Sequence, residues 1–128
     1  MKFFRLLLLL LLALQTQSEQ LKNILFVGNS YLYYNNSVHN YVEPMLREHH
    51  GSEIETKLSA IGGSKLHHHN IDHLLNPKNL NLDQQIDLLI MQGGSTEVVS
   101  EKDQEKFIQT VQQYSCLLYT SDAADDVR

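Results

Sequence analysis

Two apolar runs and a less cleanly alternating segment between them, each followed by a small polar turn containing glycine, constrain this chain more than any other feature. Asn23-Ile-Leu-Phe-Val27 ends in Gly28-Asn29-Ser30, Ile54 to Ala60 ends in Gly62-Gly63-Ser64, and Leu88-Leu-Ile-Met91 ends in Gln92-Gly93-Gly94-Ser95. Short continuous runs rich in branched and aromatic residues suit strands covered on both faces, as in parallel sheets. Leu88 to Met91 reads as the most buried of the three. The segments between them carry helical periodicity. Val38 to His49 spaces Val38, Tyr41, Val42, Met45 and Leu46 for a helix, with Gly51 as its stop. Pro44 either kinks that helix or marks its true start. Lys65 to Leu75 presents Leu66, Ile71, Leu74 and Leu75, and Asn76-Pro77 ends it. Ser100 caps a final helix with Asp103 three residues on, and Phe107, Ile108, Val111 and Tyr114 form its inner face. The order β-α-β-α-β-α predicts an α/β protein: a three-layer, flavodoxin-like parallel sheet, truncated to about three strands.

The two ends read differently from the middle. Lys2 and Arg5 precede an unbroken apolar run from Leu6 to Leu14, and Thr16 and Ser18 place small residues before a cut ahead of Glu19. That is the anatomy of a secretory signal peptide over residues 1–18, although an uncleaved anchor has similar parts. The expected location is secreted or periplasmic, with no stable membrane insertion once the leader is removed. At the other end, Cys116 to Arg128 resembles the translation of a transposase-type sequencing-library adapter. Residues 19–115 are therefore expected to be the authentic domain segment and 116–128 a non-native tail. Cys116 is the sole cysteine, so a disulfide framework is excluded. A formal net charge of −5 argues against nucleic acid or an anionic membrane surface as partner.

In open α/β sheets, ligands bind at the carboxyl ends of the strands, which is where the three polar turns converge. A serine at such a turn either caps the next segment or presents its hydroxyl to a crevice, its own N–H aimed at a developing oxyanion. Ser30 fits both descriptions.

Leu25-Phe-Val-Gly-Asn-Ser-Tyr31 resembles the first block of the SGNH (GDSL-like) serine ester hydrolases, in the branch where Gly-Asp-Ser becomes Gly-Asn-Ser. The continuation Ser30 to Asn36 is similar to that branch as well. Gly62-Gly63-Ser64-x-Leu66 resembles the second block, and Leu88 to Ser95 occupies the place of the third. The resemblance implies hydrolysis of a carboxylic ester through an acyl-enzyme on Ser30, without a cofactor or metal; the expected substrate is a small-molecule or carbohydrate ester, the carbohydrate following from secretion. It implies an oxyanion hole from the N–H groups of Ser30 and of Gly62 or Gly63, plus a third-block side chain. The family places an asparagine there. Here strict alignment offers Ser95, whereas Gln92 supplies the nearby amide and is the preferred donor. The family's general base comes from an Asp-x-x-His block near the C-terminus. No histidine follows His73 in this chain, so the chain as written is expected to be inactive.

The seven histidines offer a rival reading as a non-catalytic, metal-binding module. His69 and His73 stand one helical turn apart within the His67–His73 cluster, a spacing that chelates zinc or copper. A solvated helix face accounts for the same pattern, and one of His67 to His69 is placed to line the crevice. His49 and His50 suit the negative end of the first helix. Asn35-Asn36-Ser37 is a glycosylation sequon, and Tyr31, Tyr33 and Tyr34 either pack a sugar ring beside Ser30 or belong to the core.

Overall fold

Strand β1 (Asn23–Gly28) is buried at every position, because it is flanked by a parallel strand on each side. In this computed structural model, which describes residues 21–51 and 53–125, β2 (Glu55–Ala60) and β3 (Leu88–Met91) complete a three-stranded sheet of order β2-β1-β3. Phe26 lies between Leu58 and Ile90 in the register. The protein is thus α/β, with the all-parallel open sheet that the alternating pattern predicts. The signal peptide expected at residues 1–18 lies outside the described residues, and among those described no helix is long and apolar enough to cross a membrane.

Alternation along β1 builds the three layers, since successive side chains point to opposite faces. Leu25 and Val27 join Leu66, Ile71, Leu75, Leu82, Ile86 and Tyr114 on one face. Ile24 and Phe26 join Leu32 and Ile54 on the other, with Val42 and Leu46 packed against them. Burial of each large aliphatic side chain stabilises the fold by roughly 1.5–3 kcal/mol before entropy is counted. Asp87, just ahead of β3, accepts from the Lys22 and Asn23 N–H groups at 2.7 Å each and fixes where the central strand begins.

The helices depart from expectation in four places. Helix α1 (Ser30–Tyr33) is a single turn directly after β1, followed by α2 (Val38–His50), which runs through Pro44 without ending there. Only Val42 and Leu46 of its apolar residues pack inward; Val38, Tyr41 and Met45 are exposed. The continuous helix expected over 65–75 is instead a 3-10 turn (Leu66–His68) and a short α3 (Ile71–Leu74), separated where the His69 ring turns inward. A second 3-10 turn spans Pro77–Leu80, and a third, Ser95–Val98, leads into the long α4 (Glu101–Asp125). On α4, Ile108 is exposed and Thr110 is buried. Phe107, Val111, Tyr114 and Leu118 hold the inner stripe, so the helix continues into the adapter-like segment with Leu117 and Leu118 against the core. Finally, β3 is an edge strand of the described sheet, with Leu88 exposed, and β1 is the fully buried one.

Candidate active site

The order β2-β1-β3 puts a topological switch beside the central strand: the chain leaves β1 toward one neighbour and returns on the other side. Crevices open at the carboxyl ends of the strands flanking such a point. Gly28-Asn29-Ser30 and Gln92-Gly93-Gly94 are those ends here. The Gln92 N–H donates to the Val27 carbonyl at 2.9 Å and the Ile61 N–H to the Gly28 carbonyl at 3.1 Å, so all three turns are tied to one edge.

Gly28 has to be glycine. A Cβ there would stand 2.8 Å from Leu32 Cδ1, 2.9 Å from Gln92 Oε1 and 3.0 Å from Gln92 Cβ. That close approach lets the chain turn at once into α1. Asn29 is buried and satisfies four groups around it. Its N–H donates to Gln92 Oε1 at 3.2 Å, and its Nδ2 donates to the carbonyls of Ser64 (3.2 Å) and Gly93 (3.3 Å). Its Oδ1 accepts from the Tyr31 N–H at 3.2 Å, capping α1. An aspartate could not donate to two carbonyls, so an amide is required at this position. One side chain therefore locks the three turns together and fixes Ser30, the next residue.

Ser30 is half-buried as the first residue of α1. Among the described residues its hydroxyl has no hydrogen-bond partner, and neither have the N–H groups of Ser30, Gly62 and Gly63. Gly62 and Gly63 occupy the exposed turn closed by Ser64 N–H to Ile61 carbonyl at 3.1 Å. Gly63 has φ +70°, which side-chain-bearing residues resist, while a Cβ on Gly62 would lie 2.9 Å from the Tyr33 hydroxyl. Tyr33, from the turn that begins with Ser30, thus overlies Gly62. Gln92 is half-buried; its Oε1 holds Asn29, and one of its two Nε2 hydrogens goes to the Gly93 carbonyl, leaving the other to donate. Ser95 is exposed at the start of its 3-10 turn.

Three supporting residues hold the turns in place; the sequence reading put Tyr114 on the inner helix face and one of His67 to His69 at the crevice, without their partners. His69, 6 % exposed, sets Nε2 at 2.8 Å from the Gly28 carbonyl and 3.2 Å from Ser64 Oγ, with Nδ1 at 3.3 Å from Ser59 Oγ. A carbonyl only accepts, so Nε2 carries the proton and Nδ1 accepts from Ser59. Burial holds this imidazole below the usual histidine range, opposed by its hydrogen bond to Gly28. Glu97, 2 % exposed, takes the Leu66 N–H on both carboxylate oxygens (3.1 and 3.2 Å) and the Gly94 N–H on Oε2. It ties the third turn to the segment after the second. Tyr114 shares its hydroxyl proton between the carbonyls of Leu66 and His69, both at 2.9 Å. The sequence signal for Glu97 was its place three residues after Gly94, the spacing of a carboxylate that reaches back to cap.

The metal-binding arrangement does not form. His69 is buried with both ring nitrogens engaged, whereas His73 is exposed with its Nδ1 beside Asn79 Nδ2 at 3.1 Å. Among the described residues, no group of three or more His, Cys, Asp or Glu side chains is placed to hold an ion. Two depressions of about 220 and 410 Å³ lie between the 66–72 segment and α4, sharing His67 and Lys106; Ser30 lines neither. Burial, then the nearby His68, lowers the His67 pKa.

Comparison of the chain with protein-family models, with curated proteins and with solved structures found no match.

Proposed function

We propose that this chain carries the nucleophile half of a secreted or periplasmic serine ester hydrolase of the SGNH type. One observation supports this reading above the rest: a serine hydroxyl at the end of the central strand that has no partner among the described residues, accompanied by backbone N–H groups on its own residue and on the neighbouring glycine turn that likewise have none among them. A free hydroxyl and free N–H donors gathered at one solvent-reached sheet edge are the groups that nucleophilic attack and oxyanion stabilisation require.

In the proposed reaction, Ser30 Oγ attacks the ester carbonyl carbon while its proton passes to a general base. The carbonyl oxygen gains the negative charge and is held by the N–H groups of Ser30 and Gly62 or Gly63, with the free Gln92 amide hydrogen as third donor and Ser95 as the alternative. Collapse breaks the C–O bond, the alcohol leaves with the proton, and water then releases the acyl group by the reverse sequence. Losing one such donor typically raises the barrier by about 3 kcal/mol. The base is the piece these residues do not provide. His69 is committed to Gly28, Ser59 and Ser64, so the reading requires an Asp-x-x-His block from outside the described residues, supplied in a longer continuous frame.

The test is turnover of a short aryl acetate by the protein expressed from that continuous frame. Ser30→Ala should lower kcat by roughly a thousandfold or more with the circular dichroism spectrum intact. Unchanged turnover in that variant would refute Ser30 as nucleophile.

A further inference from the structure

Positive charge is spread unevenly over this acidic chain. Lys22 pairs with Glu53, Arg47 with Glu43, Lys57 with Glu55 and Lys65 with Asp103. Lys78, Lys102 and Lys106 have no carboxylate within ion-pair distance among the described residues. Lys102 and Lys106 stand one turn apart on α4, so their ammonium groups share a face and repel each other. With 15 acidic against 10 basic residues in the chain, a carboxylate partner for each would be the ordinary outcome.

Both lysines line the depressions between the Leu66–His68 turn and α4. Lys102 and Lys106 border the one of about 410 Å³ together with Lys65, and Lys106 also borders the one of about 220 Å³. His67 lines both, and its Nδ1 is buried without a hydrogen-bond partner among the described residues, 3.9 Å from Glu97 Oε1. Two carboxylates share the larger depression. Asp103 is already engaged, accepting from Lys65 Nζ and from Ser100 Oγ, whereas Glu105 makes no ion pair among the described residues. The two walls are fixed to each other. The Leu66 N–H is held by buried Glu97, and the Leu66 carbonyl accepts from Tyr114 of α4.

Unpaired ammonium groups, an unsatisfied imidazole nitrogen and a recess of small-molecule size together suit an oxyanion. The amides of Asn70 and Gln113, on the smaller depression, suit the polar body that would carry it. A neutral ligand would leave the paired like charges uncompensated, and a cation would add to them. An extended polyanion would meet the chain's net charge of −5. We infer that the face between the Leu66–His68 turn and α4 binds a small molecule through a phosphate or carboxylate group, held by Lys102 and Lys106 with His67 beside it. The site is independent of Ser30 and of the hydrolase reading.

Melting of the 128-residue chain in low-salt buffer, with inorganic phosphate, acetate or chloride added at matched ionic strength, tests this inference. An oxyanion should raise the melting temperature in a saturating manner by mass action, and chloride should not. A shift with phosphate alone assigns a phosphate group to the ligand, and a shift with acetate alone a carboxylate. Lys102→Gln/Lys106→Gln should melt no lower than the parent without anion and bind the effective oxyanion about tenfold or more weakly. Glu105→Gln, which removes the uncommitted carboxylate, should bind it more tightly. No shift with either oxyanion, an equal shift with chloride, or undiminished affinity in the double variant would overturn the site. Ester turnover plays no part in the readout, so the hydrolase reading can fail while this site stands, and the reverse.

Discussion

At the scale of single residues, the candidate site is held by contacts that are cheap to break and easy to measure. Gly28→Ala would force a methyl group against Leu32 and Gln92 and should lower unfolding free energy by about 1–3 kcal/mol in a urea titration. Gly63→Ala meets no atom, so its cost should be only the left-handed backbone, about 1 kcal/mol. His69 supplies a pH dependence. Its folded pKa lies below that of the unfolded chain, so the unfolded state takes up a proton first as pH falls. Stability is fully present above the unfolded value of 6.5 and declines as pH drops from there toward the lower folded value. Melting at about pH 7.5 and about pH 5 should show this loss, with a smaller difference in His69→Gln. His67, lowered by its own burial, acts in the same direction and leaves a residue of the effect. Ser30 was legible in the sequence because a strand end and a Gly-Asn turn are local signals. Asn29, His69 and Glu97 were not, because the partners that define their roles lie 31 to 41 residues away along the chain.

At the scale of elements, periodicity located the strands well and the helices less well. The runs located all three strands to within a residue or so, although only β1 is buried throughout; β2 carries polar and charged residues and β3 is partly exposed. Periodicity could not rank them, because which strand is central depends on the order of the sheet. The 65–75 segment has helical spacing, yet divides into a 3-10 turn and a short helix at His69, whose ring bonds the Gly28 carbonyl. Ile108 and Thr110 exchanged their expected positions for a related reason: the face of α4 is set by Tyr114 reaching the carbonyls of Leu66 and His69. Tyr114→Phe should therefore cost about 1–2 kcal/mol, as two buried carbonyls lose a donor while the ring stays packed. At the start of α4, Ser100 Oγ accepts the Asp103 N–H at 3.2 Å as the capping signal predicts, and Ser100→Ala should cost about 1 kcal/mol in the same thermal assay.

At the scale of the whole molecule, the described sheet has a saturated centre and two open edges. Among the described residues β2 and β3 each pair on one side only. The β2 edge carries the Lys57–Glu55 ion pair, whereas the apolar β3 edge can recruit a further strand, so the chain should self-associate with rising concentration. Leu88→Lys at the exposed start of β3 should shift sedimentation toward the monomer. The α/β class and the convergence of three polar turns follow from the same parallel geometry, which is why both could be read before any contact was known. The acid–base partner of Ser30 follows from neither. The central claim is that Ser30 is an activated nucleophile, and covalent trapping tests it most directly. A version of the protein that carries the proposed Asp-x-x-His block would be treated with a fluorophosphonate and its tryptic peptides analysed by mass spectrometry. A single adduct on Ser30, within the peptide bounded by Lys22 and Arg47, is the predicted result. A folded, unlabelled protein, or an adduct on any other residue, would contradict it.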